Sequence, residues 1–333
     1  MFRPIPWVGS FQEGTILRSS NPLEAVWRQI QRVGTVDNMS RIAQSRGHSP
    51  ALGRAASLKV RQALELRQAS REASSLTKPL LLYYSMLNLT RGVMLAHQGT
   101  FGAPSHGLSY QAGPSLLDCA AKVASKGTFR AFAEGIGVPK PDLDGKTYSL
   151  RDLFAVIPEM QSDFPLLKRA HASTVTVKVE SFIGGPTSLR FYVPDVSEED
   201  FRQNWAQMFP WMSDVCQLAD AFTLRLNVQL QHVSLVAEFC RRYLIHDLRL
   251  RDTPFWYDHR VGGGVTLLQR LPAYIAAMFI LSNVSRYEPE FLDDATSQLT
   301  DLAYFLSTFL DNAERFLPQL VLELLNGRPM FFE

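Results

Sequence analysis

The segment KPLLLYYSMLNLTRGVMLAHQGTFGAPSHG, residues 78–107, decides the fold that we predict for this chain. Up to His97 it is apolar almost all round a helical projection, and a helix with that pattern is buried in a protein core. The same segment carries Arg91, His97 and His106, whose side chains can bind phosphate or transfer protons. We therefore expect a largely helical protein with a candidate site at the end of one buried helix.

Outward from this segment, the apolar pattern predicts helices on both sides of a short β-rich insert. Asn21 is placed to cap the first helix, which has proline at its first position and Glu24 at its third. Strands are predicted at 174–180 and 188–193, as a hairpin, and within 222–238. Helices are predicted at 22–33, 51–75, 79–97, 114–134, 149–160, 197–208, 265–284, 291–315 and 317–326. Residues 34–50 are predicted to be a polar connector with room for one helical turn.

The predicted fold class is therefore mainly α (α+β), a helical bundle with a small inserted antiparallel β element. We expect a single domain over residues 1–333. It is predicted to be helical from 21 to 160, to contain the β insert from about 172 to 240, and to be helical again from 265 to 327. No internal repeat or low-complexity tract marks a boundary in the sequence.

Composition narrows the class of protein. The 333 residues are 46% hydrophobic and 20% charged, which is typical of a soluble globular protein. Three scattered cysteines without a CxxC pattern predict a reduced chain with no structural zinc, and no cofactor motif is present. The longest uncharged apolar stretches hold 12 and 15 residues, too few to cross a bilayer. The start lacks the apolar core of a signal peptide, so we expect a cytoplasmic protein.

Positive charge is concentrated at the N-terminal end. Residues 1–78 hold 12 Lys/Arg against 5 Asp/Glu, whereas the remainder holds 22 against 27. Such a basic region can bind nucleic acid, can pair with the chain's own acidic part, or can be a solvated helix face. Arg286 has two interpretations: it could hold a phosphate, or it could form a structural ion pair. The candidate nucleic-acid-binding residues are Arg54, Lys59, Arg61, Arg67, Arg71 and Arg286.

Six segments resemble those of the YaaC-like protein family, in the family's order along the chain. They are KPLLLYYSMLNL (78–89), HGL (106–108), GTF (127–129), DLFAVIPEM (152–160), LSNVSRYEPEF (281–291) and FLPQLVLELLNG (316–327). The resemblance spans roughly residues 22–327, nearly the whole chain. The resemblance implies a bacterial cytosolic protein with one mostly helical domain, and it brings no agreed catalytic residues.

A second resemblance concerns Arg91 and His97, whose spacing on a long helix is similar to the signature of HEPN ribonucleases. In that chemistry the imidazole takes the proton of a ribose 2′-hydroxyl, the guanidinium holds the phosphate, and no metal is needed. Six positions place the two side chains about 120° apart on a regular helix. His106, returning across the following loop, or a second subunit are therefore alternative partners of Arg91. A structural role for these residues is also open.

Two functions follow from these patterns. The first is a metal-independent RNase of the HEPN type, or a nucleic-acid-binding component, in a bacterial defence or toxin module. The second is a non-enzymatic subunit that docks a partner protein or a second copy of the chain. The sequence predicts no membrane partner for either function.

Overall fold

The computed structural model describes most of the chain. The described residues are 3–4, 15–167, 175–181, 186–193, 196–209, 212–213, 215–227, 245–246, 256–258, 270–326 and 330–332. The helices are α1 Pro22–Val33, α2 Val36–Ser45, α3 Pro50–Arg71, α4 Lys78–Gln98, α5 Thr128–Gly135, α6 Leu150–Ala155, α7 Glu198–Met208, α8 Arg270–Tyr287, α9 Pro289–Thr296 and α10 Asp301–Asn326. The strands are β1 Arg3–Pro4, β2 Thr15–Leu17, β3 Leu108–Gln111, β4 Ala120–Val123, β5 Thr147–Ser149, β6 Val175–Ser181, β7 Thr187–Tyr192, β8 Cys216–Asp220, β9 Thr223–Leu226, β10 Ile245–His246, β11 Trp256–Asp258 and β12 Met330–Phe332.

The mainly α fold class is confirmed, and its centre is the helix predicted from the apolar segment. Helix α4 is buried on most of its surface, and Gly99 ends it with a φ of 72°. Helix α8 packs against α4 and is buried from Arg270 to Val284. Because both helices are apolar all round, they must lie inside a shell of other elements, here α3, α6 and α10 among them.

Several predicted helix starts are confirmed by their caps. The side chain of Asn21 accepts a hydrogen bond from the backbone N–H of Glu24 at the start of α1. Ser149 and Asp152 form a reciprocal capping box at α6. The predicted connector at 34–50 was wrong, because Thr35 caps a ten-residue helix, α2. Helix α2 buries only Met39 and Ala43 against the rest of the protein. Two buried positions do not make a clear helical pattern of apolar residues in the sequence.

The predicted helix at 114–134 was also wrong. A short 3-10 turn at Leu116–Asp118 leads into β4, and α5 begins only at Thr128. Strand β4 lies between β3 and β5 in a three-stranded antiparallel sheet. Its partners come from both sides of it along the chain, and that pairing, which no local pattern records, fixes β4 as a strand.

The β-containing insert is confirmed as an antiparallel sheet. Strands β6 and β7 pair as the predicted hairpin, with Val177 opposite Phe191. Within the described residues this sheet runs in the order β10-β11-β6-β7-β9-β8, with β1 added to β6. It has its own small core, in which the rings of Phe191 and Phe209 lie 4.5 Å apart. Most of the strand region predicted within 222–238 lies outside the described residues.

In the C-terminal part, the boundary between the last two helices differs from the prediction. The predicted helices at 291–315 and 317–326 are instead α9 and α10, and α10 continues through Pro318. No helix in the described part of the chain is both long enough and apolar enough to span a membrane. The division of the chain into domains stays a prediction.

Candidate functional site

Arg91 lies on α4 and is held by neutral groups. Its Nε donates to Thr128 Oγ1 at 3.1 Å, and its Nη2 donates to the carbonyl oxygen of Pro104 at 2.7 Å. The guanidinium carbon lies 5.3 Å from the centre of the Phe101 ring. These contacts fix the direction of the side chain and leave its positive charge without a carboxylate partner among the described residues.

His106 approaches Arg91 from the loop that follows α4. Its Nδ1 lies 2.6 Å from the hydroxyl of Tyr83, and the two rings are stacked with centres 5.6 Å apart. The rings of Tyr84 and Phe279 lie 5.8 and 5.9 Å from the imidazole. The imidazole is half-buried among aromatic side chains from α4 and α8.

The contact with Tyr83 selects one tautomer of His106. Burial raises the pKa of the Tyr83 phenol, so the hydroxyl keeps its proton. Tyr83 is buried, and among the described residues its hydroxyl has Nδ1 of His106 as its hydrogen-bond partner, so the hydroxyl proton can be satisfied only there. Nδ1 therefore accepts the hydrogen bond, and the proton of the neutral ring is on Nε2. That N–H has no protein acceptor among the residues that the structure describes.

Arg286 lies in the last turn of α8, close enough to His106 for its charge to add to the effect of burial on the pKa of the imidazole. It lies seven residues after Phe279 and so shares a helix face with it. Its Nε donates to Ser282 O at 3.2 Å and its Nη2 to Asn283 Oδ1 at 2.9 Å, which turns the side chain back along the helix. As for Arg91, these partners are neutral and no carboxylate of the described residues pairs with the guanidinium. We call Tyr83, Arg91, His106 and Arg286 the arginine–histidine cluster.

The electrostatics of the cluster follow from this arrangement. Burial lowers the pKa of His106 below its ordinary value of 6.5, and the positive charges of Arg91 and Arg286 lower it further. The imidazole is therefore neutral at neutral pH. Burial also lowers the pKa of Arg91, although a guanidinium stays charged. The cluster thus carries two positive charges and one neutral N–H donor.

A close approach of two backbone segments positions His106. Gly107 has a φ of 82°, and a Cβ built on Gly127 would lie 2.3 Å from the Cα of Gly107. The carbonyl of His106 accepts a hydrogen bond from Phe129 N at 2.8 Å, at the start of α5. Only glycine permits this contact, which places His106 beside Thr128 and hence beside Arg91.

His97 lies in different surroundings, among the ends of α2, α4 and α10. Burial lowers its pKa and the charge of Arg46 adds to this, whereas the carbonyl of Leu325 opposes the shift. Its backbone oxygen accepts a hydrogen bond from His48 Nε2 at 3.1 Å. Helix α4 is continuous through Gln98, so the predicted rotation of about 120° from Arg91 is kept. The structure brings Arg91 together with His106 and Arg286 and not with His97.

The basic residues of α3 divide into one internal residue and four surface residues. Arg67 is 6% exposed; its Nε donates to Glu314 at 2.9 Å and its Nη2 to Glu24 at 2.7 Å. We expected it to bind nucleic acid, but its charge is neutralised inside the protein. The other four, which are exposed or half-buried, are Arg54, Lys59, Arg61 and Arg71, of which Arg71 also lies 3.3 Å from Glu24.

Sequence reasoning missed the neutral partners that orient the cluster. Tyr83 belongs to an apolar run that predicts only burial, and Thr128 begins a helix whose start was misplaced. Thr128 follows Gly127 in one of the segments that carry the family resemblance, and that position was the available sign that Thr128 belongs to the site. Four of those segments, 78–89, 106–108, 127–129 and 281–291, meet at the cluster.

The described residues contain no group of three or more His, Cys, Asp and Glu side chains arranged to hold a metal ion. Comparison with curated proteins and with solved structures finds no match. Residues 36–325 match the family model described as YaaC-like protein, and the chain belongs to that family.

Proposed function

We propose that this protein binds the phosphate backbone of single-stranded RNA at the arginine–histidine cluster. One observation carries the proposal: among the described residues, two guanidinium groups without carboxylate partners act on a neutral imidazole whose Nε2–H has no protein acceptor. Grouped positive charges that no carboxylate of the described residues neutralises raise the local potential, and they add to the effect of burial in lowering the pKa of His106. An anionic ligand would lower this positive potential and would be stabilised by it.

Phosphate suits this arrangement better than a metal or a cationic ligand. Each guanidinium uses Nε and Nη2 for neutral acceptors, and its Nη1 has no acceptor in the part of the chain that the structure describes. Because these acceptors are neutral, they orient the side chains without cancelling their charge, so the donors are set in place before a ligand arrives.

An exposed aromatic ring supports a nucleic acid over a free phosphate ion. Tyr287 is 66% exposed, and the guanidinium carbon of Arg286 lies 5.0 Å from the centre of its ring. Unpaired bases stack on aromatic side chains, at roughly 1–3 kcal/mol per base. A phosphate held by Arg286 would place a neighbouring base within reach of Tyr287, which favours a single strand over a duplex.

The RNase candidate requires a different state of His106. A general base needs the lone pair at Nε2, whereas the hydroxyl of Tyr83 favours the tautomer that carries the proton there. Reversing the tautomer would leave the buried hydroxyl without its acceptor. We therefore propose RNA binding, rather than RNA cleavage, as the function of the cluster. The defence or toxin role expected from the HEPN resemblance belongs to the RNase candidate and depends on it.

Binding is tested by fluorescence anisotropy with a labelled single-stranded RNA of about 12 nucleotides, in EDTA and over a series of salt concentrations. Arg91→Gln and Arg286→Gln are each expected to weaken binding about 10-fold and to lower the salt slope by about 0.7. The matched control is Arg61→Gln on α3, whose side chain is 71% exposed; it should bind within about twofold of wild type.

The same samples separate the candidate functions. His106→Gln keeps an N–H donor near the position of Nε2, so it should bind RNA, but it cannot act as a base. Cleavage by wild type that His106→Gln abolishes would favour the RNase over simple binding. Binding lost with Arg61→Gln and kept in both cluster variants would move the interface to α3. A wild type that binds neither RNA nor DNA would leave the protein-docking alternative.

A further inference from the structure

Arg286 and Glu288 are two residues apart, and yet they do not form an ion pair. Arg286 is turned back along α8 towards Ser282 and Asn283. The carboxylate of Glu288 instead accepts a hydrogen bond from the hydroxyl of Tyr110, and Cys119 Sγ lies 3.2 Å from that hydroxyl. The cation and the anion are thus held by separate sets of neutral groups.

We infer that Tyr110 is a positioning residue that keeps Arg286 free for phosphate by holding the Glu288 carboxylate away from it. This inference rests on the proposed function and concerns the regulation of the same site. Tyr110 lies on β3, in the chain segment that carries His106, whereas Glu288 precedes α9. The hydrogen bond therefore joins the two chain segments that supply His106 and Arg286.

The packing of the two elements supports this role. Phe279, which contacts His106, lies within α8, and Glu288, which contacts Tyr110, directly follows the last residue of α8. Tyr110 is four positions after His106, and its strand β3 packs on α8. These contacts place the segment from His106 to Tyr110 along the C-terminal part of α8. Arg286 lies between Phe279 and Glu288 along the chain.

Without the Tyr110 hydroxyl, we expect the Glu288 carboxylate to turn to the guanidinium of Arg286, two positions away along the chain. A carboxylate that has lost its hydrogen bond at a half-buried position gains from pairing with a nearby cation. That pair would cancel one of the two positive charges of the cluster. Burial raises the pKa of the Tyr110 phenol, so the hydroxyl remains a donor throughout the neutral range.

The test compares Tyr110→Phe, Glu288→Gln and the double variant in the RNA binding assay, with the melting temperature of each recorded. Tyr110→Phe should weaken binding about 5- to 10-fold, because Glu288 then competes with phosphate for Arg286. Glu288→Gln alone should bind at least as tightly as wild type. The double variant also lacks the original hydrogen bond to a carboxylate. Its RNA affinity should nevertheless lie within about twofold of wild type, because no Glu288 carboxylate remains to compete for Arg286.

A second readout does not depend on RNA. In Tyr110→Phe the pKa of His106, followed by NMR, should rise because Arg286 is neutralised, and it should return in the double variant. If wild type binds no RNA but these pKa changes occur, the proposed function fails and the inference about Tyr110 stands. If binding and pKa are unchanged in Tyr110→Phe, or if the double variant is as weak as Tyr110→Phe, the inference is wrong.

Discussion

Replacing Arg67 by Met should destabilise the protein and leave RNA binding unchanged. The guanidinium is buried beneath α1 and α10, where it donates to Glu24 and Glu314 and lies 5.0 Å from the centre of the Trp27 ring. Methionine replaces much of the aliphatic volume and removes the charge. The carboxylate of Glu314, whose side chain is 7% exposed, then loses its partner at 2.9 Å.

The size of the effect follows from the charge that remains. Removing one partner of a buried ion pair costs about 3–5 kcal/mol, because the other charge stays buried. Lys78 Nζ lies 3.9 Å from Glu314 Oε2 and offsets part of this, so we expect about 3 kcal/mol. For a chain of this size, that lowers the melting temperature by about 4 °C. Differential scanning calorimetry of wild type and Arg67→Met measures the shift.

Two comparisons show whether the charge is the cause. Removing both partners in Arg67→Met/Glu314→Met should restore most of the lost stability, since no buried charge is then unpaired. Arg61→Gln, at an exposed pair with an N–O distance of 3.9 Å, should shift the melting temperature by less than about 2 °C. The reasoning is refuted if Arg67→Met melts within about 1 °C of wild type, or if the double variant melts no higher than Arg67→Met.

Three further predictions concern protonation and the backbone. The pKa of His106, followed by NMR, should lie below 6.5 and should rise in Arg91→Gln and on addition of phosphate, because each change reduces or offsets the positive charge around the ring. Burial raises the pKa of the Glu323 carboxyl from 4.5 to about 7, so the folded state favours its protonated form and stability should fall as the pH rises from 4.5 to 7; Glu323→Gln should lack this loss in melting curves at pH 5 and pH 8. Gly127→Ala should lower the melting temperature more than Gly137→Ala, because both residues have positive φ but a Cβ built on Gly137 meets no atom within 4 Å.

Local signals in the sequence were sufficient for the elements with strong periodicity. The all-apolar pattern gave α4, and the cap formed by Asn21 gave the start of α1, since both depend on residues within a few positions. Strand β4 could not be found in this way, because its hydrogen bonds go to β3 and β5 rather than along itself. Its apolar residues fit a helix equally well when its partners are unknown.

The candidate site was predictable in its residue types and less so in its grouping. Sequence proximity favoured pairing Arg91 with His97, but a regular helix separates their side chains. The loop that brings His106 back depends on backbone packing between Gly107 and Gly127, which the sequence shows only as two separate glycines. The carboxylate partner of Arg67, Glu314, lies 247 residues away, so the internal role of Arg67 had no local sign.

The contrast between Arg67 and Arg286 shows what separates a cation that stabilises the fold from one that is available to a ligand. Buried Arg67 has two carboxylate partners, since an unpaired guanidinium in the interior would be too costly. Arg286 lies at the surface with acceptors that orient it and leave its charge intact. Their variants should therefore have opposite effects. Arg67→Met should lower the melting temperature and keep RNA affinity, whereas Arg286→Gln should lower RNA affinity and keep the melting temperature. A loss of both properties in both variants would show that the two arginines do not differ in role.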